Sequence, residues 1–92
     1  MGRSGTVQDE VGSLLRAAGN DDVDAFAAFY DRTAPAMFNL LRRELDEPAA
    51  ERATVRVYLG VWRTAAAFDP ARMSGWTFLL HAVHRDRSCR PR

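Results

Sequence analysis

His81 and His84 stand three residues apart, and Cys89 follows five residues later. On a helix, that spacing lets both imidazoles share a face and hold a metal ion. A metal site needs further ligands, and Cys89 falls where the helical pattern is ending. No metal is therefore expected. The plainer reading is one half-buried and one surface histidine, with Cys89 a free thiol. It is the one cysteine of the chain, so no internal disulfide forms. Glu44, Asp46 and Glu47 group three carboxylates about a turn. General acid–base work needs two carboxyl groups held in contrasting environments. Three acids at a turn read instead as solvated charges. No GxGxxG, P-loop or HExxH pattern appears. With no nucleophile, base and acid assembled, the sequence reads as a protein without a chemical step or a cofactor.

Arginine is the residue type left to carry function. All 13 basic residues of the 92 are Arg, with no Lys, and the net charge is +1. A biased genome explains the missing lysine. The distribution of the charge is more informative than its total. Residues 1 to 70 hold 8 Arg against 11 acids, a net −3. Residues 71 to 92 hold 5 Arg against 1 acid, a net +4. An acidic body with a basic end points to a polyanion at that end.

The elements that must position these residues are helical. Apolar residues recur at spacings of three and four, and no run alternates with period two. The expected fold is all-α, a compact bundle of four to five helices in one domain. The first helix runs from about Val7 to Ala18, stopped by Gly19 in a left-handed conformation. Asn20, Asp21 and Asp22 offer an N-cap to a second helix, about Asp22 to Arg32, with Val23, Phe26, Phe29 and Tyr30 on its apolar face. Pro35 breaks or kinks the chain, and a third helix runs to about Leu45. It carries Met37, Phe38, Leu40, Leu41 and Leu45. Asp46–Glu47–Pro48 opens a fourth, to about Ala67, with its main stripe at Val55, Tyr58, Leu59 and Trp62 and with Val57 and Val61 beside it. Arg52, Arg56, Gly60 and Arg63 fall on another face. Phe68 to Ser74 is a loop that turns at Asp69–Pro70. Ser74 caps a fifth helix, to about Ser88, with Phe78, Leu79, Ala82 and Val83 inward. Trp62 and Phe78 read as core, whereas Trp76, beside the loop, reads as a partly exposed contact. Residues 1 to 6 are expected to be a disordered N-terminus, residues 7 to 90 the domain, and residues 91 to 92 a tail. No apolar run approaches the ~20 residues that cross a bilayer. The opening Met1–Gly2–Arg3–Ser4–Gly5 lacks the apolar core of a signal peptide, so a cytoplasmic location without membrane contact is expected.

Three segments in order carry a resemblance. Leu14–Leu15–Arg16–Ala17–Ala18–Gly19–Asn20, followed by Ala25–Phe26–Ala27–Ala28–Phe29–Tyr30–Asp31–Arg32, resembles the opening of the promoter-melting domain of extracytoplasmic-function (ECF) sigma factors. Tyr58–Leu59–Gly60–Val61–Trp62–Arg63 is similar to that family's F/Y-L-x-V-W-R stretch. Phe68–Asp69–Pro70–Ala71–Arg72 and the helix after it resemble the FDPARGS loop and recognition helix. The resemblance covers about residues 11 to 90. It implies a sigma region 2-like helical domain that docks on the β′ clamp helices of the RNA polymerase core and recognises and melts the promoter −10 element. The usual family chain continues into a second helical domain that reads the −35 element. Anti-sigma factors are possible further partners.

The resemblance also assigns residues. DNA contact is implied at Arg72, Met73, Ser74, Trp76, His84, Arg85, Arg87 and Arg90. There, a basic edge suits phosphate, and the loop borders a pocket for an unstacked base. Polymerase or partner contact is implied at Glu51, Arg52, Val55, Arg56 and Leu59. Here the sequence departs from the family's E-D-x-x-Q-E pattern. Glu51 keeps its type, but an Asp has become Arg52, the Gln has become Val55 and a Glu has become Arg56. Each wrong-sign pair at contact distance costs on the order of 1 kcal/mol, less with salt. A second reading follows: a degenerate sigma-like module that binds a regulator, or itself, without productive polymerase docking. In the recognition segment, Met73 replaces the loop Gly, and Cys89 stands where the family has an Asp.

Overall fold

Asp22 starts the longest helix by accepting the Ala25 amide on Oδ1 at 3.0 Å. The computed structural model describes residues 7–89. The expectations for residues 1–6, Arg90 and the tail at 91–92 lie outside them, and the Cys89 side chain is likewise outside what is described. Four α-helices follow in order: α1 (Val7–Ala18), α2 (Val23–Arg42), α3 (Glu47–Thr64) and α4 (Gly75–Cys89). A 3₁₀ turn at Ala65–Ala67 extends α3. Among the described residues there is no strand, and the all-α bundle expected from periodicity is present. Helix α1 packs on α2 and α4, and α3 bridges α2 and α4.

Two expected breaks are corrected. Pro35 does not divide the second helix from the third, because α2 runs through it. The buried residues Ala25, Phe29, Thr33, Met37 and Leu41 repeat every four residues across the proline, so one continuous ridge faces the core. Pro35 and Asp31 both face solvent, and water is available to the Asp31 carbonyl that loses its amide partner. Gly19 does not supply the left-handed residue that ends α1. Asp21 does, with φ at 70°. The amides of Asp21 and Asp22 donate back to the carbonyls of Ala18 and Ala17, which closes a Schellman motif. Gly19 is needed for a different reason: a Cβ there would stand 2.6 Å from the Ala65 carbonyl oxygen. The glycine lets α1 approach the 3₁₀ turn backbone to backbone.

The other boundaries follow the expected chemistry. Asp46 Oδ1 accepts the Ala49 amide at 2.9 Å, and Pro48 occupies the first turn of α3. Asp69 Oδ1 accepts the Ala71 amide at 2.9 Å and sets the loop turn. Ser74 Oγ accepts the Thr77 amide at 3.1 Å and caps α4.

The buried face of α3 also differs from expectation. It consists of Ala50, Ala53, Thr54, Val57, Tyr58 and Val61. Of the expected main stripe, only Tyr58 is buried, while Val55 and Leu59 are 59% and 48% exposed. Small residues at 50 and 53 let α3 come close to its neighbours, so the packed arc centres on them. The bulkier apolar residues span a wider arc than the neighbours cover. On α2, Val23 and Tyr30 are likewise exposed rather than core. Trp62 and Phe78 are half-buried. Phe78 stacks edge-on against Phe68 with ring centres 5.4 Å apart, and Trp62 sits edge-on to Phe26 at 5.0 Å. His81 and His84 are both exposed, contrary to the expectation of one half-buried, because the inward arc of α4 holds Leu79, Ala82 and Val83.

Candidate nucleic-acid and partner interfaces

The loop between the 3₁₀ turn and α4 forms one wall of an open groove of about 570 Å³. Arg72, Met73 and Ser74 line it from the loop, and Gly12, Ser13 and Arg16 line it from α1. Two guanidinium groups thus border one concavity from distant parts of the chain. The packing of α4 on α1 makes this possible. A Cβ on Gly75 would stand 2.8 Å from Val11 Cγ1, so the glycine permits the close crossing that brings the loop to α1. Arg72 is exposed, Met73 is half-buried with part of its chain packed on the core, and the Ser74 hydroxyl serves as the helix cap. Exposed arginines at the edge of a concavity suit phosphate oxygens.

The remaining residues implied for DNA contact are not gathered here. Trp76 packs half-buried against the core cluster and does not line the groove. His84 and Arg85 are exposed lower on α4. Arg87 reaches across to Glu44, with Nη2 and Oε1 2.6 Å apart. It lies about 20 Å along the helix from Ser74, at 1.5 Å per residue. Sequence reasoning missed Gly12, Ser13 and Arg16. No local signal marks Arg16 for this groove, since only the α1–α4 crossing delivers it.

The second surface lies on α3. Glu51, Arg52, Val55 and Leu59 are all exposed. Arg56 is not free: its Nε and Nη2 donate to the two carboxylate oxygens of Asp86 on α4, at 2.9 and 3.2 Å. This two-point bond raises the Arg56 pKa above its ordinary value, against an opposing effect of desolvation. One of the two reversed charges is therefore matched from within the fold. Beside these residues runs an apolar trough between α2 and α3. One stretch is lined by Val23, Phe26, Tyr30, Val55, Tyr58, Leu59 and Trp62. The next shares Tyr30 and Val55 and continues to Phe38 and Glu51.

Beneath the trough, Thr33 Oγ1 donates to the Phe29 carbonyl at 2.8 Å and is left to accept from the Tyr58 hydroxyl. Burial, partly offset by that hydrogen bond, pushes the Tyr58 pKa up to about 12. Among the described residues, no three His, Cys, Asp or Glu side chains cluster to hold a metal ion.

A loop groove flanked by two arginines and an apolar–charged helix face are the two surfaces on which expected site residues fall. The chain's relatives are transcription proteins. The chain is 44% identical over 80 residues to the ECF RNA polymerase sigma factor SigK of Mycolicibacterium vanbaalenii, covering 86% of this chain and 41% of that one. It is 40% identical over 78 residues to SigK of Mycobacterium ulcerans, covering 84% and 42%. It is 39% identical over 80 residues to SigK of Mycobacterium tuberculosis, covering 86% and 43%. Over those residues the chain is similar to ECF sigma factors, the family that its three motifs resemble. It spans less than half the length of each of these relatives. No protein-family model matches it, and no solved structure does.

Proposed function

We propose that the chain acts as the promoter −10 module of an ECF sigma factor. It docks on the β′ clamp helices of core RNA polymerase through α3 and captures the melted −10 strand in the loop groove. The observation that carries this reading is the groove itself. It sets Arg72 and Arg16, both from segments that resemble the family's motifs, against one concavity large enough for an unstacked nucleotide. The module binds and orients, and it performs no chemical step. It works where RNA polymerase works, in the cytoplasm. No helix among the described residues is long and apolar enough to cross a membrane. An anti-sigma factor that covers the α3 face would regulate it.

The reversed charges on α3 weigh less against docking than the sequence alone suggests. Asp86 already answers Arg56, so of these two bases at positions where the family places acid, Arg52 is the one without an ion pair among the described residues. Reversing a single exposed charge changes binding by on the order of 1 kcal/mol, about fivefold. Capture of core polymerase by the chain tests the docking half of the proposal. The wild-type chain is expected to retain core enzyme at low salt. Arg52→Asp is expected to retain it about fivefold more tightly. Loss of all capture at low salt, with the helical circular dichroism intact, would remove polymerase from the reading and leave the regulator-binding alternative.

A further inference from the structure

The trough between α2 and α3 is bordered by opposite charges on its two sides. Its near stretch is apolar, with Val23 and Tyr30 on α2 and Val55 and Leu59 on α3, each more than 40% exposed, while the acids Asp31 and Glu51 line its far stretch. On the α2 side, Asp31 lines the trough and helical spacing places Asp24 just past it. Past the α3 wall, the same spacing places Arg52 and Arg63. All four are exposed, and none joins an ion pair among the described residues. From Val23 to Phe38 the trough runs about 22 Å, or roughly four helical turns. The ring contacts Phe26–Trp62 and Tyr30–Tyr58 fix the register of the two antiparallel helices. Asp24 is then level with Arg63, and Asp31 falls between Arg52 and Leu59.

We propose that a second copy of this chain covers the trough. A face with acid on one side and base on the other complements itself. A two-fold axis parallel to the helices lays the acidic side of one copy against the basic side of the other. It sets α2 antiparallel to α3 of the second copy, so the four helices form an up-down bundle closed around the apolar residues. A two-fold across the helices would oppose acid to acid and base to base, so the charges select the first arrangement. An acidic or a basic partner helix would satisfy one side and oppose the other. The dimer covers Val55 and Leu59, which the proposed polymerase contact also uses. Self-association and docking therefore exclude one another wherever that docking reading holds, but the dimer itself does not depend on it.

Sedimentation equilibrium of the whole chain tests the proposal without polymerase or DNA. The wild type is expected to pass from monomer to dimer with concentration. Asp24→Arg/Asp31→Arg makes both sides basic, and Arg52→Glu/Arg63→Glu makes both acidic. Each variant alone is expected to dimerise at least tenfold more weakly, and an equimolar mixture is expected to recover a heterodimer. If a double variant loses its helical circular dichroism, the single pair Asp24→Arg and Arg63→Glu replaces it in the same scheme. A wild type that stays monomeric throughout its soluble range would overturn the proposal. So would folded variants that dimerise as well alone as the wild type, or a mixture that fails to associate.

Discussion

Tyr58 shows how one side chain ties the core to pH. Its ring is buried against Phe29 and Tyr30, and its hydroxyl meets only Thr33. The folded state holds the phenol neutral up to about pH 12, whereas the unfolded chain ionises near 10. Between those values the native state binds more protons than the unfolded state, so stability falls as pH rises. It is fully present below pH 10 and declines by ~1.4 kcal/mol per unit above it, about 2–3 kcal/mol in total. Urea unfolding across the alkaline range should show this slope in the wild type. Tyr58→Phe should flatten it while costing about 1 kcal/mol at neutral pH for the lost hydrogen bond. An unchanged slope in the variant would place the alkaline titration elsewhere. This buried pair was not legible in the sequence. Thr33 carries no apolar signal, and its partner lies 25 residues away on another helix. At the same scale, the Arg56 ion pair depends on Asp86, which a reading of α3 by itself does not include.

Helix boundaries were legible where side chains make them. Asp22, Asp46 and Ser74 each accept an amide three residues on, and a short polar residue before a periodic run announces that geometry. They were misread where tertiary packing decides. The continuous ridge from Ala25 to Leu41 holds α2 together through Pro35, and the contact with Ala65 explains Gly19 better than any turn preference. Glycines therefore divide into two kinds. At Gly19 an added methyl meets backbone at 2.6 Å, which cannot rotate away. Gly19→Ala is expected to cost about 1–3 kcal/mol, the usual range for overpacking. At Gly60 nothing stands within 4 Å of the added methyl, and the site is interior to α3. Gly60→Ala is expected to stabilise by up to about 1 kcal/mol, because alanine surrenders less backbone freedom. Paired urea melts check both signs. A stabilising Gly19→Ala would mean that the α1 approach to the 3₁₀ turn is looser than described.

For the whole molecule, the sequence divides into an acidic body and a basic end, and folding redraws that division. Three arginines are matched by acids from other elements: Arg32 by Glu10, Arg56 by Asp86 and Arg87 by Glu44. The basic end is thereby thinned at Arg87. At the groove, Arg16 from the acidic body joins Arg72. A polyanion should follow this folded arrangement rather than the order of the chain. Each arginine that neutralises a phosphate releases counterions, and on a single strand it steepens the fall of log K with log salt by ~0.7. Fluorescence anisotropy of a labelled −10 single strand, measured over a series of salt concentrations, reads that slope directly. Arg16→Ala and Arg72→Ala are each expected to weaken binding and to make the slope shallower by ~0.7. Arg87→Ala should change it far less, because Glu44 stands 2.6 Å from its guanidinium. Arg16 is the sharper probe, since the sequence gives no reason to place it near Arg72. If Arg87→Ala makes the slope shallower while Arg16→Ala leaves it unchanged, the strand follows the outer end of α4 and the groove is not its site.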